Sequence, residues 1–194
     1  YINTLRLFKS DIPRKDFEPI LKDSKNSYGS YHDALQYRYY VDEISQVLYP
    51  NDSNDAGKML RLKQEYFLVS AGLQDILRKC KKNKININTL NEKIAIHIND
   101  THPSLCIPEL MRILMDEEAL GWDEAWEITK KCTSYTNHTI MTEAMEKWQI
   151  SMIKELLPRI YMIIEEINKR YLNKLKTKYS NDSEKINKMA IIYN

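Results

Sequence analysis

Apolar residues recur at helical spacing along most of this chain, broken by short runs that read as strands. Ala34, Tyr37, Val41, Ile44 and Leu48 fall at intervals of three and four, which puts them on one face of a helix from about Tyr31 to Tyr49. Ser30 with Asp33 has the form of an N-terminal cap, whose side-chain oxygen answers free backbone N–H groups. Pro50 closes that helix, because its ring disfavours α geometry in the residue before it. After the polar run from Pro50 to Gly57, a stripe of Met59, Leu62, Tyr66, Val69, Leu73, Ile76 and Cys80 predicts a longer helix from Lys58 to Lys82. Phe67, Leu68 and Ala71 widen it, the pattern of a helix buried on more than one side.

Ile94 to Ile98 is short, apolar and β-branched, the pattern of an interior strand. Its His97 alternates with isoleucines and is read as a satisfied core residue. A helix is expected from Leu105 to Ala119, with Pro108 tolerated in its first turn. A shorter one is expected from Asp123 to Lys131, and a second interior strand from Cys132 to Thr136. A long helical region, Met145 to Tyr179, should kink or split at Pro158. Strand–helix alternation around Ile94–Thr136 predicts a parallel α/β sheet within a helix-rich chain. The opening Tyr1-Ile2-Asn3-Thr4-Leu5-Arg6-Leu7 and the closing Met189 to Asn194 read as strands under way, as if both ends were cut from a longer polypeptide.

Composition narrows the choices. Lys and Arg number 29 against 27 Asp and Glu, a formal net charge of +2, so there is no electrostatic footprint for nucleic acid or an anionic membrane. No apolar run reaches the roughly 20 residues a membrane span needs. Cys80, Cys106 and Cys132 form no CxxC pair and an odd count, which argues against a disulfide framework or structural zinc and for a reducing compartment.

Candidate chemistry gathers where the two interior strands end. Asp100-Thr101-His102 follows one and Asn137-His138-Thr139 the other. If the strands are parallel neighbours, both clusters face one crevice at their carboxyl ends, where open α/β sheets bind ligands. Carboxylate, imidazole, amide and hydroxyl together suit a neutral polyhydroxylated ligand. Plainer roles remain open: Asp100 as a cap of the next helix, His102 as a turn residue, the Asp-x-His spacing as half a metal site without a third ligand. His138 beside Ser104 or Ser134 lacks any nucleophile motif.

Longer stretches carry a resemblance. Tyr49-Pro50-Asn51-Asp52, Leu60 to Phe67, Leu73-Gln74-Asp75-Ile76, Asn99 to Ser104, Ile107 to Arg112, Ser134 to Thr139, Glu143-Ala144 and Leu156 to Arg159 are similar, in order and spacing, to segments of the glycogen, starch and maltodextrin phosphorylases. The resemblance covers almost the whole chain. It implies a helix-rich α/β segment, the later part of the N-terminal Rossmann-like domain of a GT-B fold glycosyltransferase, with residues 1–194 forming one incomplete segment. It implies a cytoplasmic parent enzyme, of an allosterically regulated family, that transfers a glucosyl unit from an α-1,4-glucan to phosphate. Pyridoxal phosphate would be held by a C-terminal domain absent from this chain, which itself would bind no cofactor and no metal and be inactive alone. The partners implied are glucan, phosphate, the rest of the phosphorylase chain and a second copy in a homodimer. The alternative is a stand-alone carbohydrate-binding or helical interaction module; a metal-dependent hydrolase ranks third.

The resemblance also implies roles. His138 would turn its main-chain carbonyl to the anomeric region and its imidazole to the glucosyl 6-hydroxyl, a preorganised dipole facing developing positive charge. Asp100, Thr101, His102, Asn137 and Thr139 would shape the sugar site, with Glu143 near the glucan path. Asn51 to Ala56 would form a mobile gate, Asp52 and Ser53 facing ligand and Arg61 supporting it. The gate lacks the paired aromatics of animal enzymes, and Arg78-Lys79 stands where those enzymes carry a paired arginine for AMP, so purine inhibition and AMP control are not expected. Tyr37, Tyr39 and Tyr40 would partly serve the dimer contact.

Overall fold

The computed structural model describes residues 4–13, 28–141, 145–179 and 182–193. These divide into two compact units, residues 1–72 and 73–194, the division falling after Gly72.

In the first unit, residues 4–13 form no strand, contrary to the expectation for Tyr1 to Leu7. They lie instead along helix α1 (Tyr28–Gln46). The Ser10 hydroxyl donates to the Val41 carbonyl at 2.6 Å, the Ser10 N–H donates to Ser45 Oγ at 3.2 Å, and Arg38 pairs with Asp11 at 3.3 Å. Helix α1 starts three residues before the predicted Tyr31, so Ser30 sits inside it rather than capping it. It stops short of Tyr49, which takes a positive φ of 51° ahead of Pro50. Of its expected apolar face Ala34 is buried, while Tyr37 and Leu48 are exposed, as are Tyr39 and Tyr40 off that face.

Helix α2 (Asp55–Lys82) begins three residues before Lys58 because Asn54 supplies a cap hidden in the polar run. Asn54 Oδ1 accepts from Gly57 N–H at 2.9 Å, and its carbonyl accepts from Lys58 N–H at 3.0 Å. Leu62 is fully buried on this helix, and Leu73, Leu77 and Cys80 are buried further along, whereas Leu68 is exposed.

The second unit continues from the end of α2 through a 3-10 turn (Ile87–Glu92) to strand β1 (Ile96–Asn99). Helix α3 (Cys106–Arg112) passes into a π-helical stretch (Ile113–Glu117), and α4 (Trp122–Cys132) leads into β2 (Thr133–Thr136). The strands pair in parallel, Ile96 opposite Thr133 and Asn99 opposite Thr136, as the alternation predicted. A parallel pair needs a crossover, and α3 and α4 form it. Ala119, at a φ of 57°, turns the chain between them.

The helical region expected from Met145 starts later. It is α5 (Ile150–Leu156) and α6 (Pro158–Lys178), split at Leu157 ahead of Pro158 as predicted. A last short helix, α7 (Ser183–Lys188), was not foreseen. The run after it holds no strand among its described residues, contrary to expectation. Asn168 of α6, nearly buried, fixes it by accepting from the Ile191 and Ile192 N–H groups at 3.0 and 3.3 Å.

The core lies where α3 packs on α4 and α6. Leu110, Met111, Ile113, Leu114, Ala125, Ile160 and Ile163 lose almost all contact with solvent there. The buried Glu109 carboxylate is held by Arg112, at 2.7 and 2.9 Å, which offsets much of the cost of burying a charge. Cys80, Cys106 and Cys132 are free, buried thiols on α2, α3 and α4. Burial pushes the pKa of Cys106 and of Cys132 up to about 11, and that of Cys80 up as well. No helix among the described residues is long and apolar enough to cross a membrane.

Two sequence expectations about the sheet need correcting. Of β1 only Ile98 is buried, and β2 has no fully buried residue. His97 is not a core residue: side chains alternate across a strand, so burying Ile98 turns His97 to the open face. There its Nε2 lies 2.5 Å from Thr136 Oγ1.

Candidate functional site

Strand β1 runs out at Asn99, and Asp100 turns the chain with a φ of 60°, a conformation Asp tolerates better than most residues. Its N–H still extends the ladder, donating to the Thr136 carbonyl at 2.8 Å. Its carboxylate reaches the neighbouring strand end. Asp100 Oδ1 accepts from the His138 main-chain N–H at 2.7 Å and lies 3.1 Å from His138 Nδ1. The two clusters that the sequence set 38 residues apart therefore meet through one carboxylate. Asp100 is not a helix cap, since α3 starts only at Cys106. The His138 N–H, assisted by the His138 ring and the charge of His102, holds the Asp100 carboxyl below its ordinary pKa, and partial burial opposes this.

Beyond β2 the chain is pinned by its own side chains. Asn137 Nδ2 donates to the Thr139 carbonyl at 2.5 Å, and Asn137 Oδ1 accepts from the Thr139 N–H at 3.4 Å. Thr139 Oγ1 accepts from Met141 N–H at 3.1 Å. The His138 side chain remains 58% exposed while that of Asp100 is 25% exposed, so the carboxylate is the sheltered, organising member and the imidazole the accessible one.

Thr101 and His102 face another partner. His102 Nδ1 lies 3.2 Å from Glu146 Oε1, and the Glu146 N–H donates to Thr101 Oγ1 at 3.4 Å. His102 is thus a turn residue with an acidic partner. Glu146 was missed in the sequence, where nothing marks a glutamate 44 positions downstream as its neighbour. Ser104 and Glu146 line one edge of an open cavity of about 690 Å³, walled further on by Trp148, Tyr161 and Tyr193. Glu143 lies outside the described residues.

Asp52, Ser53 and Arg61 belong to the first unit. Arg61 Nη1 lies 3.5 Å from Asp52 Oδ2 and Arg61 Nε 3.1 Å from Glu65 Oε1, so it ties the loop to α2. The Ser53 N–H donates to Asn51 Oδ1 at 3.0 Å. Gly57 is required by a close approach: a Cβ there would sit 1.7 Å from the Asn51 carbonyl oxygen. The Asp52 and Ser53 side chains are exposed.

Comparison with known proteins gives this geometry its context. The sequence profile of the carbohydrate phosphorylases matches residues 1–194. Over 98% of its length the chain is 48% identical to the glycogen phosphorylase of Bacillus subtilis (strain 168). It is 47% identical to the muscle form of glycogen phosphorylase from Ovis aries and 45% identical to that from Homo sapiens, again over 98% of the chain. It spans 22% of the bacterial relative's length and 23% of each of the other two. With a profile match along its entire length and near-half identity to both bacterial and animal relatives, the chain belongs to the carbohydrate phosphorylase family.

Proposed function

We propose that residues 1–194 are the later part of the N-terminal domain of an α-1,4-glucan phosphorylase of GT-B fold, and supply the sugar-facing wall of its active site. The observation that carries this is the junction of the strand ends: Asp100 bonded to the main chain and ring of His138, at the carboxyl edge of a parallel pair, where such sheets bind ligands. In the reaction a glucosyl unit leaves the end of an α-1,4-glucan for phosphate. The His138 carbonyl faces the anomeric carbon as positive charge grows there, a fixed dipole that costs no reorganisation. Its exposed imidazole takes the glucosyl 6-hydroxyl. Thr101, His102 and Thr139 border the sugar, and Asp52 and Ser53 stand on the gate that Arg61 anchors.

Pyridoxal phosphate belongs to the part of the enzyme that this chain does not span, and its phosphate would supply proton transfer there. The described residues do not fit that group: none of their lysines is buried, whereas a cofactor lysine needs a desolvated pocket to lower its pKa. No step here runs through it. The exposed Tyr37, Tyr39 and Tyr40 of α1 support a contact with a second copy in the parent enzyme.

The test is release of glucose 1-phosphate from maltodextrin and inorganic phosphate. The full-length polypeptide containing this chain should turn over, and residues 1–194 alone should not. Turnover by the isolated chain would refute the division of labour, and inactivity of the loaded full-length enzyme would refute the function.

A further inference from the structure

We propose that Asp100 and Asn137 are positioning residues, which clamp the two peptide groups on either side of the His138 α-carbon and so aim its carbonyl. The inference rests on the reading above, in which that carbonyl faces the reacting carbon; it reassigns two residues expected to touch sugar.

The peptide entering His138 is held by its N–H, which donates to Asp100 Oδ1 at 2.7 Å. Asp100 is itself held, since its N–H donates to Thr136 at 2.8 Å and its φ of 60° turns its side chain back toward β2. The peptide leaving His138 contains the His138 carbonyl and the Thr139 N–H. That N–H points at Asn137 Oδ1, and the Thr139 carbonyl accepts from Asn137 Nδ2. Among the described residues there are no cis peptide bonds, and in a planar trans peptide the carbonyl points opposite to the N–H. The Asn137 amide therefore turns the His138 carbonyl away from itself, and with the Asp100 bond on the other peptide both planes at His138 are fixed. Without the clamps a solvent-exposed loop residue could rotate its carbonyl out of line, and a dipole that must reorient during reaction contributes little.

The two residues differ chemically. Asp100 acts on His138 as an acceptor, and an amide oxygen of the same shape can accept the same N–H. Asn137 needs both its amide oxygen and its NH₂ group.

The experiment measures phosphorolysis and amide exchange in the full-length enzyme loaded with its cofactor. Asp100→Ala and Asn137→Ala are each expected to lower kcat about 100-fold with KM for glucan within about threefold, the signature of an interaction used in the transition state. Asp100→Asn should restore most of the loss, and the double alanine variant should fall little below either single one, because both act on one carbonyl. Hydrogen exchange at His138 N–H should accelerate in Asp100→Ala and return toward the native rate in Asp100→Asn. A rise in KM with kcat kept, or Asp100→Asn as impaired as Asp100→Ala, would overturn the inference by showing direct contact with substrate. Native enzyme without phosphorolysis would overturn the functional reading, and the inference with it. Native activity with alanine variants within threefold in kcat would overturn the inference alone.

Discussion

At the scale of single residues, Asp100 and Gly57 have the most definite consequences. Asp100 has a pKa below its ordinary 3.8 in the folded chain. A depressed carboxyl adds stability above its unfolded pKa and loses it as pH falls through the folded one. Native protein should therefore be more stable than Asp100→Asn at neutral pH. The gap in melting temperature should close on acidification below about pH 4, and a gap constant down to pH 2 would contradict the clamp's charge. At Gly57 the added methyl of alanine would collide with backbone, the Asn51 carbonyl oxygen, which no side-chain rotation can relieve. Gly57→Ala should destabilise the first unit by about 1–3 kcal/mol, read from urea unfolding, and should free the loop that Arg61 ties down.

Among the elements, α6 carries a task beyond packing. One side-chain oxygen of Asn168 satisfies two N–H groups of the exit segment, and a buried donor left unpaired costs about 1–3 kcal/mol. Asn168→Leu should speed hydrogen exchange at Ile191 and Ile192 while α6 stays helical; unchanged exchange would mean that α7 alone fixes the segment. This bond also marks where sequence reading stopped. The longer helices were legible because their apolar spacing and Pro158 act locally, unlike short α7, and the parallel strand pair because strand–helix alternation leaves few topologies. The start of α2 was displaced by three residues because the cap, Asn54, stood in a run that read as loop. His97 was misplaced because alternation tells which residues share a face without telling which face is covered. In the site, the clusters at residues 100–102 and 137–139 were visible as polar strand ends. The partner of His102, Glu146, was not, since that pairing depends on how the chain returns after β2.

At the scale of the whole molecule, the proposed function makes the chain one wall of an active-site cleft, in keeping with an accessible His138 and with described lysines that are not buried. Residues 1–194 alone should therefore give no glucose 1-phosphate while still protecting the His138 amide, two measurements that separate fold from catalysis. The interior offers its own reporter. The thiolate is the form that reacts with alkylating agents. Thiols held near pKa 11 in a packed core, as Cys106 and Cys132 are, cannot be modified at neutral pH until the helices part. With Cys80 they tag three helices of the second unit at once. Alkylation timed by mass spectrometry then works as a clock for core opening: simultaneous labelling of all three would mean the unit opens as one body, and staggered labelling would give the order in which its helices come away.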